Sequence, residues 1–434
     1  MSTRPWLRWW RRCFIGAVLI SLWVAWDNWG DLLQSQRPVP SPTASPQEIE
    51  HGRYLVLAGN CIACHTERGG KPLAGGRAIP TPFGPVYSSN LTPDPTTGIG
   101  EWSAQDFWQA MHHGRSRSGR LLTPAFPYEH TTLITREDSD AMLAWLRSQP
   151  PVQQAQRPHE LTWPLGTPVA LAIWRSLFFK PRHFVPDPQQ PPAWNRGAYL
   201  VQGLGHCAAC HSPRNELGAT QGVSALTGGL MPVINWYAPS LLSDRETGLA
   251  TTPLTSIVHL LKTGMQGDSR TSGPMAEVVR HSLQYLNDAD LHAMALYLQM
   301  QARQLPPEPA PPEAQPLSRR VAEHGFKVYD RHCAHCHGDE GEGISGVYPA
   351  LNGNRAVILN DPTNLVQAVL FGGYGPSTAG YPRPYGMPPF ILELQDQDVA
   401  AVLSHIRQTL QPAGQRASEV TPLQVNRIRA KSAE

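Results

Sequence analysis

Three copies of one pentapeptide, Cys-x-x-Cys-His, stand out in this sequence of 434 residues. The copies consist of Cys61, Cys64 and His65; Cys207, Cys210 and His211; and Cys333, Cys336 and His337. Cysteines three residues apart lie on one face of a helical turn, so both sulfurs can bond to the two vinyl groups on one porphyrin edge. The adjacent histidine can then bind the iron from the same side. This pattern is the attachment signature of c-type haem, and it predicts three covalently bound haem c groups.

Structural zinc is the alternative for Cys-x-x-Cys units, which form zinc ribbons in intracellular proteins. Here the units begin 146 and 126 residues apart, and each is followed directly by His, which favours haem. The motifs use six of the seven cysteines, so no disulfide framework remains. The seventh, Cys13, lies inside an apolar run and is expected to be a small buried hydrophobic residue.

A second axial iron ligand, commonly Met, is expected from the long loop after each motif. Met275 follows Gly273-Pro274 after the second motif, and Met387 stands between Gly386 and Pro388 after the third. Gly and Pro beside Met favour a rigid, non-helical loop pressed against a haem face. We therefore predict Met275 and Met387 as iron ligands, with gap-filling core Met residues as the alternative.

The loop after the first motif departs from this pattern. Phe126 stands where a Met is expected, and a phenyl ring cannot bind iron. His130 on the same loop is the candidate ligand, and a solvent-facing or haem-propionate-bonding role is its alternative. Met111, His112, His113 and an open five-coordinate iron also stay open. We predict that the first haem differs from the other two in spectrum and reduction potential.

Each motif lies between two predicted helices, which indicates a repeated small α-domain of leading helix, haem motif, long loop and closing helix. The leading helices are predicted at 51–57, 195–201 and 321–330, and the closing helices at 141–146, 291–298 and 399–406. An Asp-x-Asp pair before each closing helix is expected to cap its start, because Asp accepts free N–H groups there. The predicted fold is mainly α, with three tandem class I cytochrome c domains and an N-terminal membrane anchor helix.

The N-terminal segment has arginines in residues 1–12 and no charge in residues 13–26. An apolar run of this length is shorter than the roughly twenty residues of a bilayer span and is typical of a signal-peptide core. Tryptophans at both ends resemble interfacial belts, and no small-residue cleavage site follows. We therefore favour an uncleaved anchor in the bacterial inner membrane over a removed signal, with the remainder of the chain in the periplasm.

The composition of the sequence divides the whole chain into segments. The predicted segments are an anchor or signal (1–34), a Pro/Ser linker (35–46), cytochrome c domain 1 (47–150), an interdomain strap (151–192), domain 2 (193–302), a Pro-rich linker (303–316), domain 3 (317–410) and a polar tail (411–434). The apolar run from Leu165 to Phe179 is expected to pack on the haem domains, with docking to a partner or membrane as the alternative. A net charge of +2 gives no reason to expect nucleic acid.

These features resemble the triheme cytochrome c subunits of membrane-bound periplasmic dehydrogenases for alcohols, aldehydes and gluconate. The resemblance covers residues 48–410. It rests on the three motifs, on the stretch from Trp194 to Val201, on Gly273-Pro274-Met275 and on the stretch from Tyr385 to Pro388. It implies a subunit that carries electrons from a separate catalytic subunit to ubiquinone or a terminal oxidase.

The stretch from Pro124 to Tyr128, with Phe126 in place of Met, looks more like the branch that works with molybdenum hydroxylases on aldehydes or N-heterocycles. The resemblance thus favours a molybdopterin catalytic subunit with an iron–sulfur subunit, and a PQQ or flavin subunit is the alternative. The chain has no dinucleotide glycine fingerprint and no nucleophile elbow, so it is expected to transfer electrons without a substrate-oxidising site of its own. Two other functions stay open: a haem peroxidase-like enzyme using an open first haem, with His130 as its acid or base, and a free-standing membrane cytochrome shuttle.

Overall fold

The computed structural model of this chain describes residues 5–30, 44–222, 225–231, 233–267, 269–306, 308, 314–412 and 414–431. Residues 35–43 of the predicted Pro/Ser linker lie outside the described residues, as do residues 307 and 309–313 of the predicted Pro-rich linker. The described chain is mainly helical, as predicted, and its strands form four short antiparallel hairpins.

By its internal contacts the chain divides into two compact units, Met1–Arg53 with His65–Phe184, and Tyr54–Cys64 with Val185–Glu434. Helix α2 (Pro46–Ala58) begins in the first unit and ends in the second, where α3 (Cys61–Cys64) follows. The other elements of the first unit are α1 (Pro5–Trp29), β1 (Ala78–Ile79), β2 (Val86–Tyr87), α4 (Ala104–His113), α5 (Tyr128–Thr131), α6 (Arg136–Arg147) and α7 (Pro168–Phe178).

The second unit continues with two groups of elements. The first group is α8 (Pro192–Tyr199), a π-helix (Leu200–Leu204), α9 (Ala208–His211), β3 (Gly229–Met231), β4 (Trp236–Ala238), α10 (Leu254–Thr263), β5 (Met265–Gln266), β6 (Ser269–Arg270), α11 (Gly273–His281), a 3-10 helix (Leu283–Tyr285) and α12 (Asp288–Arg303). The second group is α13 (Arg319–His332), α14 (Ala334–His337), α15 (Arg355–Ile358), α16 (Thr363–Phe371), β7 (Gly373–Tyr374), β8 (Gly386–Met387), α17 (Asp396–Gln408) and α18 (Pro422–Lys431).

One close helix crossing occurs three times, between a leading and a closing helix: α2 with α6, α8 with α12, and α13 with α17. At each crossing a glycine of the leading helix faces the backbone of the closing helix. A Cβ atom added to Gly52, Gly197 or Gly325 would lie 1.9, 2.0 or 2.3 Å from the carbonyl oxygen of Ala141, Ala293 or Ala401, respectively. Such distances exclude any side chain, so these positions require glycine for the close approach. All six predicted helices are present, and most extend beyond their predicted ends.

The residue before each of these glycines pairs with an aspartate in the first turn of the closing helix. The three pairs are His51–Asp138 (2.9 Å), Arg196–Asp290 (2.7 Å) and His324–Asp398 (2.8 Å). Each pair joins the same two helices as the glycine contact beside it. The repeat predicted from the motifs therefore extends to the side chains that hold each helix pair together.

The predicted Asp-x-Asp pairs lie inside the closing helices and not before them, so the prediction that they are the N-cap residues is wrong, although Asp398 takes part in a capping box. The N-cap residues are Thr135, Asn287 and Gln395. Thr135 and Asn287 accept a hydrogen bond from the backbone N–H three residues later, and Gln395 forms a capping box with Asp398. Each aspartate is the third residue of its helix, within the first turn, where a carboxylate interacts favourably with the helix dipole.

The C-terminal segment differs from the predicted polar tail. Helix α18 packs on α16 and α17, and its Val425 and Ile428 are buried in the core of this region. Arg429 on the same helix donates to Asp396 at 2.7 Å. Two apolar residues three apart give a short helix one buried face, a pattern that the polar composition of the segment obscures.

Within the second unit, β4 and α16 are joined by reciprocal hydrogen bonds. The Tyr237 N–H donates to Asn364 Oδ1 at 2.8 Å, and Asn364 Nδ2 donates to the Tyr237 carbonyl at 2.7 Å. Gln367 Nε2 donates to the Asn235 carbonyl at 2.9 Å beside them, and the side chain of Gln367 is buried. These contacts link the region of the second motif to the region of the third.

Helix α1 packs its C-terminal end on α7 in the first unit. The side chain of Asn28, 1% exposed, donates to Ser176 Oγ at 2.9 Å and accepts from Arg175 Nε at 2.9 Å. Most other apolar side chains of α1 are exposed. Cys13 is also exposed, contrary to the prediction. Among the described residues, no helix combines the length and apolarity that crossing a membrane requires.

The part of the predicted interdomain strap that belongs to the first unit packs on that unit. Ala172, Arg175 and Phe179 are buried, and the Arg175 guanidinium lies 5.0 Å from the ring centroid of Tyr128. The opposite face of α7 is apolar and exposed. It presents Val169, Ile173 and Leu177. The strap thus has one buried and one exposed apolar face.

Candidate haem sites

Each Cys-x-x-Cys-His motif lies on a single helical turn that follows a leading helix. The amides of His211 and His337 donate to the carbonyls of Cys207 and Cys333, each at 2.9 Å, and these bonds close the second and third turns. Both cysteines of the first motif lie on α3 (Cys61–Cys64), and His65 follows it directly. All the motif thiols are free of disulfide bonds. The helical turn places each thiol pair on one face, as attachment to two vinyl groups requires.

The motif histidines share one hydrogen bond that orients their rings. Nδ1 of His65 lies 2.7 Å from the Ser89 carbonyl, Nδ1 of His211 lies 2.7 Å from the Pro239 carbonyl, and Nδ1 of His337 lies 3.0 Å from the Pro349 carbonyl. A carbonyl only accepts, so Nδ1 carries the proton and donates it. Nε2 is then the ring nitrogen with a lone pair available to bind iron.

Burial favours the neutral form of the same rings. It lowers the pKa of His65, His211 and His337, although the bond to a backbone carbonyl acts in the opposite direction. A neutral imidazole is the form that binds a metal. The donor set and the orientation of the rings therefore fit haem iron at all three motifs.

The first cysteine of each motif is partly buried (Cys61 and Cys207) or buried (Cys333). Burial raises the pKa of the thiols of Cys61, Cys207 and Cys333 to about 12, and the second thiol of the same motif adds to each rise. A thiol with so high a pKa stays protonated and is a poor nucleophile at neutral pH. These thiols are therefore expected to stay in their neutral form before any haem is attached.

The leading helix of the second motif contains one residue more than that of the first. The glycine of the crossing stands nine residues before Cys61 in the first copy and ten before Cys207 in the second. The π-helix Leu200–Leu204 accommodates the additional residue, as a π-turn inserted into a helix does. Gly197 and Cys207 therefore both keep the positions that their counterparts have in the first copy.

The two predicted Met ligands lie in different local structures. Met275 lies in the first turn of α11, so the prediction of a non-helical loop is wrong there. Met387 lies on β8, in extended structure, and packs against the core of the third motif region. Both side chains are partly buried. Gly273 has a φ of +54° and begins the turn that carries Met275.

The backbone places Phe126 in the position that Met275 occupies in the second region. Helices α4 and α10 both end in a left-handed glycine, Gly114 with φ 59° and Gly264 with φ 74°. The Leu122 N–H donates to the Gly114 carbonyl, and the Thr271 N–H donates to the Gly264 carbonyl, each at 2.8 Å. Phe126 follows Leu122 by four residues, and Met275 follows Thr271 by four. The first loop therefore repeats the second and carries a phenyl ring in place of the thioether.

His130, the candidate ligand of the first haem, is 1% exposed and lies on the short helix α5. Its solvent-facing alternative is therefore wrong. The neighbouring Thr131 donates from Oγ1 to the Met111 carbonyl at 2.6 Å, which ties α5 to α4. Met111 itself is 7% exposed, as expected of a core residue. His112 stacks on Trp108, with ring centroids 4.4 Å apart, so packing accounts for its burial.

The end of α2 and the first motif turn pack within the second unit. Tyr54 donates from its hydroxyl to Asp290 Oδ2 at 2.6 Å, and Ser282 Oγ donates to the Ala58 carbonyl at 3.0 Å. Helix α3 contacts α11. Burial raises the pKa of the Cys210 thiol, Arg214 lowers it and the nearby Cys64 thiol adds to the rise. The thiols of the first and second motifs are thus close neighbours.

The glycines and aspartates of the repeated helix crossings were not predicted to support the sites. Aligning the sequences of the three copies with one another would have revealed these glycines and aspartates. A Gly precedes the first Cys by nine, ten and eight residues, and an Asp stands in each closing helix. The signal lies in the comparison of the copies, because a single glycine or aspartate has no specific meaning in one helix.

Comparison with known proteins agrees with this geometry. Residues 322–410 match the cytochrome c family. The cytochrome c subunit of the quinone alcohol dehydrogenase of Gluconacetobacter polyoxogenes is 37% identical over 413 residues, which cover 90% of this chain and 87% of the relative. The fold and the sites define a c-type cytochrome.

Two further relatives are named as subunits of other dehydrogenases. The gluconate 2-dehydrogenase cytochrome c subunit of Pantoea cypripedii is 36% identical over 83% of this chain and 85% of its own length. A nicotinate dehydrogenase subunit of Pseudomonas putida is 40% identical over 83% of this chain, which matches 30% of that protein. The chain belongs to the family of dehydrogenase cytochrome c subunits.

Proposed function

We propose that the chain binds three haem c groups, one at each motif, in three tandem class I cytochrome c domains. The observation that carries this proposal is the threefold repeat of a buried imidazole whose Nδ1 donates to a backbone carbonyl. The paired thiols of each motif would hold the porphyrin edge. Met275 and Met387 would supply the sixth ligands of the second and third haems, and His130 is our candidate for the first.

The bound haem supplies one-electron redox chemistry. The residues of this chain hold the iron, orient its imidazole ligand and exclude water from the site. We infer that the protein accepts electrons from the catalytic subunit of a dehydrogenase and delivers them to ubiquinone or to the respiratory chain. The names of three relatives support this function, since each is a subunit of a dehydrogenase.

In this proposal the attachment residues of the first and second haems would lie close to each other. Support comes from the second unit, where the Cys64 thiol influences the pKa of the Cys210 thiol and α3 contacts α11. The thioether bonds would therefore bring the two porphyrin edges close together. The reciprocal bonds between Tyr237 and Asn364 support a fixed path from the second haem to the third.

A molybdopterin catalytic subunit with an iron–sulfur subunit is our favoured partner, with a PQQ or flavin subunit as the alternative. The sequence around Phe126 supports this choice through its resemblance to the molybdenum branch. The names of the alcohol and gluconate relatives support alcohol-type and sugar-acid substrates for the alternative partners.

We place the protein at the periplasmic side of the bacterial inner membrane, held by an uncleaved α1. The exposed Trp and aliphatic side chains of α1 support contact with lipid. Asn28 supports retention of the segment, because its amide is buried between α1 and α7. Cleavage on the C-terminal side of Asn28 would remove a partner of Arg175 from the interior of the first unit.

Haem stoichiometry tests the proposal. Purified protein is expected to contain three haems per chain, measured by haemochrome absorbance against intact mass. The double variant Cys207→Ser/Cys210→Ser is expected to contain two, because the second motif loses both attachment atoms. Cys13→Ser is the matched control and is expected to keep three. A wild-type ratio other than three would contradict the proposal.

Electron transfer is tested with the dehydrogenase that co-purifies with this chain. Mixing the oxidised protein with that enzyme and its substrate is expected to reduce the haems, as seen in the visible spectrum. Substrate without the dehydrogenase is expected to leave them oxidised. Hydrogen peroxide turnover by the isolated chain would support the peroxidase hypothesis, which the names of the relatives do not favour.

A further inference from the structure

The turn that carries Met275 is covered by a single aromatic ring. A Cβ atom added to Gly273 would lie 2.7 Å from each of three consecutive atoms in the six-membered ring of Trp236. Equal distances place that atom over the ring centre, so the face of the indole lies flat on the glycine. The φ of Gly273 is +54°, which also favours glycine. The backbone two residues before Met275 is therefore fixed against Trp236.

The third copy has the same arrangement beside its own Met. A Cβ atom added to Gly386, which directly precedes Met387, would lie 2.5 Å from Cε1 of Tyr374. Tyr374 and Gly386 are cross-strand partners in the hairpin of β7 and β8. An aromatic ring over a glycine of the neighbouring strand stabilises such a pair. The two rings differ in origin, because Tyr374 belongs to the loop of Met387, whereas Trp236 comes from the separate hairpin of β3 and β4.

Both chain neighbours of Trp236 are fastened to the region of the third motif. Tyr237 forms its reciprocal hydrogen bonds with Asn364 of α16. The Asn235 carbonyl accepts from Gln367 of the same helix at 2.9 Å. The buried side-chain amide of Asn235 donates to a backbone carbonyl of α18 at 3.2 Å. The position of the indole therefore depends on α16 and α18.

Helix α11 is also held by the third copy at both of its ends. Before α11, the Arg270 guanidinium lies 4.9 Å from the ring centroid of Tyr381. After α11, Gln284 accepts from the Ala379 N–H at 3.1 Å and donates to the Ser377 carbonyl at 3.3 Å. The third copy therefore holds the chain on both sides of α11, and the indole covers the first turn of this helix.

We propose that Trp236 positions Met275 for the iron of the second haem, and that the region of the third motif holds Trp236 in place. The inference rests on the proposed function, which assigns Met275 as the sixth ligand of that haem. A ligand side chain must be held by the packing of its neighbours, and here the indole fixes the turn from which Met275 extends. The second haem would therefore keep its Met ligand, and the higher reduction potential that Met confers, only while α16 and α18 are folded.

A pair of glycine variants tests the contact between the ring and the turn. Gly273→Ala places a methyl group against Trp236, whereas Gly267→Ala places one where no atom lies within 4 Å. The two glycines have φ of +54° and +55°, so the backbone strain of alanine is matched. In the ferric holo-protein, Gly273→Ala is expected to reduce the long-wavelength charge-transfer band of Met-ligated haem by about half, from two haems to one. Gly267→Ala is expected to leave the band unchanged.

Variants of Trp236 separate the positioning role from a general loss of stability. Trp236→Ala is expected to halve the same band and to let one ferrous haem bind carbon monoxide, because the second iron loses its sixth ligand. A redox titration of this variant is expected to show one lowered potential. Trp236→Phe keeps a ring over the glycine and is expected to keep the band and the potential. A purely structural role would lower the melting temperature of both variants and leave the band unchanged.

A remote variant tests the hold of the third region without touching the turn. Asn364→Ala removes both hydrogen bonds to Tyr237, and Asn426→Ala, at an exposed position of α18, is the control. Imidazole competes with Met for ferric iron. Asn364→Ala is expected to bind imidazole at one haem about tenfold more tightly than the wild type does, a typical size for coupling between two sites. Asn426→Ala is expected to bind imidazole as the wild type does.

Three results would each overturn the inference: equal bands in the two glycine variants, a full band in Trp236→Ala, or wild-type imidazole binding in Asn364→Ala. Met275→Ala separates such a result from a failure of the proposed function. If Met275→Ala halves the band and the other variants do not, the ligand is correct and the positioning role is refuted. If Met275→Ala leaves the band unchanged, the ligand assignment in the proposed function is wrong, and the inference is refuted with it.

Discussion

At the scale of single residues, the three motifs are equivalent in their attachment atoms and different in the loop opposite them. His65, His211 and His337 have the same hydrogen bond to a carbonyl. Phe126 and Met275 hold corresponding positions in two loops with the same hydrogen bonds. The two loops therefore differ in one chemical property. The thioether sulfur of Met275 can bind iron, whereas the phenyl ring of Phe126 cannot.

This correspondence leads to a prediction for Phe126→Met. The variant places a thioether where the second loop places Met275, so the first haem is expected to gain a Met ligand and a higher reduction potential. The measurement is the long-wavelength charge-transfer band of Met-ligated ferric haem, together with a redox titration. The band is expected to grow by about half, from two haems to three.

Phe126→Leu is the control, since it changes the side chain without adding a donor, and it is expected to leave the band unchanged. A wild-type protein with three equivalent Met-ligated haems would contradict this prediction. His130→Ala addresses the remaining ligand: a changed spectrum of the first haem would identify His130 as its ligand, and an unchanged one would exclude it.

The sequence predicts the attachment residues, because their chemistry needs fixed spacing within one helical turn. It was also sufficient to find Phe126, because the distance from the motif is similar in the two loops. It did not predict that Met275 lies in the first turn of a helix, since Pro is common at the start of helices as well as in loops. The burial of His130 was equally hidden, because it depends on the packing of α5 against α4.

At the scale of elements, a close glycine contact and a hydrogen-bonded pair between a basic side chain and an aspartate hold each leading helix to its closing helix. The backbone oxygen of Ala401 would lie 2.3 Å from a Cβ atom at Gly325, and the same close approach recurs at Gly52 and Gly197. Helices this close bury their facing surfaces fully, so each motif turn emerges from a rigid base. The sequence predicted the helices from their apolar periodicity, but the closeness of their contact requires the fold.

Gly325→Ala is expected to destabilise the protein by about 1–3 kcal/mol, because the methyl group collides with the backbone of α17. Thermal unfolding of the holo-protein followed by circular dichroism measures the change. Gly380→Ala is the matched control, since an added Cβ there meets no atom within 4 Å. Equal melting temperatures for the two variants would contradict the prediction, because α13 and α17 could then move apart without a loss of stability.

The misassigned caps show what a pattern in sequence leaves out. Asp138, Asp290 and Asp398 have the residue type that caps helices, yet each lies within the first turn and faces a leading helix. Their role depends on a partner that is distant in the sequence. The helical part of the C-terminal tail was missed for the same reason, because Val425 and Ile428 become significant only when α16 and α17 are present.

At the scale of the whole molecule, the N-terminal helix is part of the folded first unit. Asn28 is 1% exposed and interacts with Arg175 and Ser176 of α7. A removable signal peptide has no need of such a contact. The contacts between Asn28 and α7 are therefore relevant to whether α1 is removed from the mature chain.

We expect the mature protein to retain residues 1–30, and intact-mass analysis of protein purified from membranes measures this. Asn28→Leu is expected to destabilise the first unit by about 1–3 kcal/mol, because it removes the side-chain acceptor of the Arg175 Nε–H. Ser21→Leu, at an exposed position of the same helix, is the control. A mature chain that begins after Asn28 would contradict the prediction.

The end of helix α2 has a consequence for the order of assembly. Tyr54 donates to Asp290, a residue 236 positions further along the chain. The first motif is therefore synthesised long before its neighbours in the second unit, and contacts of such sequence separation form late. If the motif binds haem as we propose, attachment at Cys61 and Cys64 would take place on an open segment, and the motif would be fixed in position only when the rest of the second unit folds.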